Sequence, residues 1–390
     1  MRYLLLALLA AAPAVAAPVA TGPANVPEFS PAFVGQTRAE AVTSKTALAV
    51  TEVATGLASP WGLAFLPDGR ALVSEKAPGA LRIIDAKGVI SPAVIGLPAV
   101  DARGQGGMMG VGVPGDGFVY WSYAEPREGG NGLAVARGTL VDGPAPRMEG
   151  VKVIFRMMPT LDSKQHFGGR MVFLPNDLMF VTLGERSILP GRVQAQDLAS
   201  HFGKIVRIRR DGSVPSDNPF VGKAGARPEI WSYGHRNILA ATRDTKGRLW
   251  ELEHGPKGGD ELNLVEKARD YGWPTITYGE EYSGKPIGES KTQAPGMAQP
   301  VYYWDPVIAP SGATFVSGKL FPEWRDNLLT GGLASKALVR LVLKNDKVVG
   351  EERLLTDRGE RIRDVVEGPD GAIWMLTDGE KGKLLRVTPR

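Results

Sequence analysis

The sequence predicts an all-β protein, a six-bladed β-propeller of four-stranded antiparallel blades. Three observations lead there. A polar turn followed by a short apolar strand recurs six times along the chain. Glycine (49 residues) and proline (30 residues) are abundant and spread throughout, which means many tight turns and many short strands. No mononucleotide-binding unit of strand, glycine loop and helix is present. The run Gly104-Gln105-Gly106-Gly107 leads into Val111-Gly112-Val113 and a strand instead.

The six units come in order. Pro67-Asp68-Gly69-Arg70 precedes Ala71-Leu72-Val73-Ser74, and Gly115-Asp116-Gly117 precedes Phe118-Val119-Tyr120-Trp121. Pro175-Asn176-Asp177 precedes Leu178-Met179-Phe180-Val181, and Thr245-Lys246-Gly247-Arg248 precedes Leu249-Trp250-Glu251-Leu252. Asp326-Asn327 before Leu328-Leu329-Thr330 is the weakest, and Pro369-Asp370-Gly371 before Ala372-Ile373-Trp374-Met375 closes the series. Each short meander leaves an apolar face that only a neighbouring sheet covers, and radial packing of such sheets makes a propeller. A sandwich or a two-domain β protein is the alternative, and six similar units favour one propeller.

Around this frame the chain divides into three parts. Residues 1–17 read as a signal peptide, with Arg2, an apolar run from Leu4 to Ala11 and the small-residue exit Ala14-Val15-Ala16-Ala17. Residues 18–45 are rich in proline and serine and are expected to form a linker or surface strap. Residues 46–390 then form one propeller, with 43% of the whole chain hydrophobic. The leader implies a periplasmic or secreted protein, and no later run is apolar and long enough for membrane insertion. There is no cysteine, which excludes disulfides, thiolate nucleophiles and cysteine-type zinc sites. A net charge of +4 without a block of Lys or Arg argues against nucleic acid as a partner. A closed propeller lacking a coiled-coil repeat or docking tail points to a monomer.

The chemistry concentrates between residues 162 and 285, which hold all four histidines: His166, His201, His235 and His254. In Gln165-His166-Phe167-Gly168-Gly169-Arg170, a histidine at a loop–strand junction suits proton abstraction near neutrality. Ser163 lacks the surroundings of a hydrolase nucleophile. In Tyr233-Gly234-His235-Arg236-Asn237, Arg236 offers a planar fork for an oxyanion, with Asn237 beside it. The run Glu253-His254-Gly255-Pro256-Lys257-Gly258-Gly259-Asp260-Glu261-Leu262-Asn263 exposes backbone carbonyls in a fixed turn and adds two carboxylates, hard oxygen donors suited to Ca²⁺. Strand alternation places Arg361 and Arg363 on one face, two cations for an anionic ligand.

These motifs, with Pro60-Trp61-Gly62-Leu63-Ala64-Phe65, Tyr271-Gly272-Trp273-Pro274 and Ala309-Pro310-Ser311-Gly312, resemble the soluble PQQ-dependent sugar dehydrogenase family, on its aldose sugar dehydrogenase branch. The resemblance covers nearly all the chain after the linker. It implies PQQ and Ca²⁺ as cofactors, and His166 as the catalytic base. Arg236 and Asn237 then stand beside the reactive quinone carbonyl, with Arg361 and Arg363 on the cofactor carboxylates. It further implies main-chain oxygens of Gly255 and Pro256 on the cofactor Ca²⁺, and a second, structural Ca²⁺ near Glu261 and Tyr271. Asp260 matches an acidic residue expected to orient His166, and Gln105 and Trp304 match positions lining the sugar pocket. One departure stands out: Ala334 occupies the place of a cofactor-binding lysine of the larger relatives, and Lys336 lies two residues on.

The activity implied is oxidation of the C1 hydroxyl of an aldose mono- or disaccharide to a lactone, with electrons passing to an external acceptor. Two other classes fit a calcium-bearing propeller: a lactonase or other hydrolase, and a carbohydrate-binding propeller without catalysis.

Overall fold

The computed structural model describes residues 17–390. The expected leader, apart from its final residue, lies outside the described residues. The first strand, β1 (Leu48–Leu57), pairs not with its neighbour in sequence but with the last strand of the chain. The first blade is β2 (Pro60–Phe65), β3 (Ala71–Glu75) and β4 (Ala80–Ile84). The second is β5 (Met108–Gly112), β6 (Val119–Arg127), β7 (Gly130–Val141) and β8 (Arg147–Arg156). The third is β9 (Gly168–Phe173), β10 (Leu178–Leu183), β11 (Lys204–Arg209) and β12 (Ile230–Tyr233). The fourth is β13 (Ile238–Arg243), β14 (Leu249–Glu253), β15 (Asp260–Leu264) and β16 (Tyr302–Trp304). The fifth is β17 (Pro310–Phe315), β18 (Leu328–Gly332), β19 (Ala337–Lys344) and β20 (Lys347–Leu354). The sixth is β21 (Ile362–Glu367), β22 (Ile373–Thr377) and β23 (Gly382–Pro389), completed by β1.

Five blades thus have four strands, and the first has three, with only an isolated bridge from Ile84 to Ile90 where a fourth would lie. Every turn–strand unit of the sequence opens the second strand of a blade. The turn chemistry explains the recurrence: carboxylates of Asp68, Asp116, Asp244 and Asp370 each accept the backbone N–H two residues on, at 3.0–3.1 Å. The strands opened by these turns are sandwiched between blades, so β3 and β14 are buried along their whole length.

The first strands of the blades (β2, β5, β9, β13, β17 and β21) contact one another in a closed ring around the axis. Apolar clusters fill the wedges between blades, as where Tyr120 and Phe155 of the second blade meet Val181 and Val206 of the third. Pairing of β1 with β23, from Leu48 opposite Pro389 to Leu57 opposite Gly382, joins the two ends of the chain in one sheet and removes an open edge. The segment before β1 runs over outer strands. The Asp305 carboxylate accepts the N–H groups of Asn25 and Val26 at 2.7 and 2.9 Å, and Ala41 bridges in parallel to Glu351 of β20. Among the described residues no helix is long and apolar enough to cross a membrane.

Candidate active site

A cavity of about 420 Å³ lies where the ring of first strands begins, at the opposite end from the aspartate turns. All six blades supply its wall, through Trp61, Gln105, Gly168, Leu239, Ala309 and Arg363. The residue just past the second strand of a blade also reaches it in four cases: Lys76, His254, Leu333 and Asp378. The Arg170 guanidinium lies 4.1 Å from the centre of the Trp61 ring and pairs with Asp364 at 2.9 Å, which fixes the indole.

His166 is 7% exposed, and its backbone N–H is held by Gln105 Oε1 at 2.9 Å. Its backbone has φ +49°, and Gly168 comes two residues later at φ +72°. A Cβ on Gly168 would stand 2.5 Å from the Thr182 carbonyl, so this loop needs glycine for its close approach to β10. His166 Nδ1 lies 2.8 Å from Glu185 Oε1. A carboxylate only accepts, so Nδ1 carries the hydrogen and Nε2 is left as the basic nitrogen. Glu185 is fully buried and its other oxygen accepts the Ser187 N–H at 2.7 Å. Burial and the nearby Arg236 charge hold the imidazole below its ordinary range, while Glu185 pulls it up.

Asp260 does not orient His166. One of its oxygens accepts the Gly255 N–H at 2.8 Å, and the other accepts the N–H groups of Ile308 and Ala309 at 2.8 and 2.7 Å. Burial pushes its pKa up to about 7 against those three donors. Its work is to tie the Gly255-Pro256 turn to the loop entering β17. Trp304 is also corrected: it sits in β16, the outermost strand of its blade, buried with its Nε1 bonded to Glu351 at 3.0 Å. It takes no part in the axial cavity, whose indole is Trp61. Lys336 is exposed in a left-handed turn away from the cavity wall.

Arg236 lies between these groups. Its Nη1 donates to the carbonyls of His254 and Gly255, both at 2.8 Å, while its Nε has no partner. The amide nitrogen of Asn237 is likewise buried and unpartnered. His254 donates from Nε2 to the Pro310 carbonyl at 2.8 Å, and burial pushes its pKa down to about 3, so it is neutral. Across the cavity, Arg361 and Arg363 both grip Asp378, at 2.9 and 2.7 Å. Burial alone would raise Asp378, yet the two arginines, Arg363 foremost, hold it below its usual range.

Gly255, Pro256, Glu261 and Tyr271 meet around a void of about 10 Å³, shared with Arg236 and Glu253. That is room for one ion-sized sphere. Next to it lies an acidic group, buried Glu251 and Glu253 with half-buried Glu261, and His235 Nδ1 stands 3.5 Å from Glu251 and 3.9 Å from Glu253. Burial and the mutual repulsion of these carboxylates push Glu251 up to about 7 and Glu261 well above its ordinary value. Oxygens of Glu251 and Asn263 remain unpartnered. Buried repelling carboxylates with free oxygens are the donor set of a hard cation. The axial cavity equally fits an anionic, carbonyl-bearing cofactor through its wall of Arg361 and Arg363. The unpartnered donors of Arg236 and Asn237 lie behind that wall: Arg236 is bonded to the carbonyl of His254, and Asn237 comes two residues before Leu239.

The glucose/sorbosone dehydrogenase family model matches residues 57–386. The aldose sugar dehydrogenase YliI of Escherichia coli (strain K12) is 43% identical over 338 residues, 85% of this chain and 90% of that protein. The solved apo-form of the soluble aldose sugar dehydrogenase from Escherichia coli is 41% identical, with a TM-score of 0.84 over 88% of this chain and 100% of that one. The PQQ-bound aldose sugar dehydrogenase of Streptomyces coelicolor is 27% identical, with a TM-score of 0.73 over 89% of this chain and 100% of that one. The chain belongs to the glucose/sorbosone dehydrogenase family, in its aldose sugar dehydrogenase branch.

Proposed function

We propose that this protein is a PQQ- and Ca²⁺-dependent aldose sugar dehydrogenase of the periplasm or the extracellular space. The observation that carries the reading is a buried His166–Glu185 pair at the edge of an axial cavity faced by Arg361 and Arg363. The sugar is bound beside Gln105, whose side chain already holds the His166 backbone. His166 Nε2 takes the proton of the C1 hydroxyl, and Glu185 steadies the imidazolium that results. PQQ, when bound with Ca²⁺, would supply the acceptor for the C1 hydride, so the sugar gives up one proton to His166 and one hydride to the cofactor, two protons and two electrons in all, and leaves as a lactone. Arg361 and Arg363 hold the carboxylates of that cofactor. Arg236 and Asn237 meet its carbonyl oxygen with the donors that have no other partner.

The carbonyls of Gly255 and Pro256 would hold the Ca²⁺ that accompanies the cofactor, and Glu261 with the Tyr271 segment would hold a second, structural Ca²⁺ in the single-ion void beside them. Electrons leave through an external acceptor, and the enzyme works as a monomer. The test is dye reduction across a panel of aldoses, with and without added PQQ and Ca²⁺. The proposal expects sugar-dependent reduction only with both. Lactone hydrolysis without an acceptor, indifferent to PQQ, would replace the dehydrogenase with a hydrolase.

A further inference from the structure

We infer that Lys76 is a third cationic ligand for the carboxylates of the bound cofactor, filling the role that the alanine at position 334 leaves open. The inference rests on the proposed PQQ site. Lys76 comes directly after β3 and lines the axial cavity together with Arg361 and Arg363. It is half-buried, and among the described residues its ammonium has one hydrogen-bond partner, the neutral Gly104 carbonyl at 2.9 Å. The lysine ion pairs of the described residues belong to Lys257, Lys291 and Lys383, and Lys76 makes none. Of the two carboxylates in the wall, Asp378 is already gripped by both arginines and Glu380 is exposed.

The half-buried Lys76 ammonium is partly desolvated and repelled by the like-charged Arg363, and Asp378 offsets that repulsion only in part. An anion placed between them relieves both charges. PQQ has three carboxylates, and a third cation extends the wall beyond the arginine pair. The rival is purely structural: through Gly104 the lysine pins the loop that carries Gln105.

The experiment titrates the full-length apo-protein with PQQ, following tryptophan fluorescence, in which Trp61 of the cavity wall is a built-in reporter. The variants are Lys76→Met, Lys76→Arg and, as a control on an exposed lysine, Lys336→Met. Lys76→Met should weaken PQQ binding by ~10-fold or more, as loss of a charge-assisted contact requires, and its binding should depend less on salt. Lys76→Arg should restore most of the affinity, and Lys336→Met should match wild type. PQQ trimethyl ester, which lacks the charges, should bind wild type and Lys76→Met alike. Equal PQQ affinity of folded Lys76→Met and wild type overturns the assignment. If only the KM for sugar rises, Lys76 is a pin for the Gln105 loop and no cofactor ligand. Wild type that fails to bind PQQ at all would overturn the proposed function itself. Should Lys76→Met melt early, Lys76→Gln carries the same test, since it keeps a polar head and drops the charge.

Discussion

At the scale of single residues, the proposed chemistry depends on which carboxylate serves His166. The hydrogen bond to Glu185 raises the imidazole pKa against burial and Arg236, so replacing Glu185 moves it further down. For Glu185→Ala the acid limb of kcat/KM should shift to lower pH, and turnover should fall by at least ~10-fold because the basic nitrogen is no longer fixed. A pH–rate profile measures both, and an unmoved acid limb would mean that Glu185 only fills space. The arginine pair makes a separate claim. Arg361→Ala with Arg363→Ala should raise the PQQ concentration needed for half-saturation by ~10²-fold or more, measured by cofactor titration, and saturating PQQ should return much of the rate.

Histidines and arginines at the site are legible in the sequence because their motifs are long and polar inside an apolar chain. Glu185 is not: it lies in an ordinary Gly-Glu-Arg run, and its pairing with His166 spans two strands. Asp260 misleads because a carboxylate close to a metal-type turn looks like a catalytic orienter, whereas three backbone N–H groups claim it.

At the scale of elements, the readable signal is the aspartate turn opening each second strand. The far end of that strand carries no such signal. Lys76, Glu185, His254, Leu333 and Asp378 all come within two residues of its end, in five different blades, and arrive at or beside the cavity. Propeller geometry makes this general, because the second strand runs back toward the end where the first strands start. The absent fourth strand of the first blade is not legible either, since Ile90 is apolar and has a proline two residues on, as a short strand also would. Trp304 misleads for want of strand order: only the fold tells an outer strand from an inner one. Asp260 supplies a prediction at this scale. Asp260→Asn exchanges an oxygen for an NH₂ group and leaves at least one of three buried N–H groups without an acceptor. The cost should be about 1–3 kcal/mol by denaturant titration, with weaker Ca²⁺ retention as the Gly255-Pro256 turn loosens.

At the scale of the whole molecule, the propeller closes on itself by β1 and β23 and packs a repelling acidic group into the second and third strands of its fourth blade. Glu251, pushed up to about 7, and Glu261, raised well above its ordinary value, hold protons on the acid side that a cation must displace. Ca²⁺ should therefore raise Tm, chelation should lower it, and the difference should shrink as pH falls from about 8 to about 5. Differential scanning calorimetry at both pH values with and without chelator measures this. A Ca²⁺ effect that grew on acidification would contradict carboxylate ligation.

On the proposed function, one axial cavity would hold PQQ, and His166 would take the proton from the sugar bound against it. The most direct test is a single turnover, in which PQQ- and Ca²⁺-loaded protein is mixed with glucose and no acceptor, and lactone is counted. Wild type should form about one lactone per bound PQQ. His166→Ala, loaded to the same PQQ content, should form it ~10²–10⁴-fold more slowly. Lactone released by folded His166→Ala at the wild-type rate, or none from wild type with any aldose, would contradict the account.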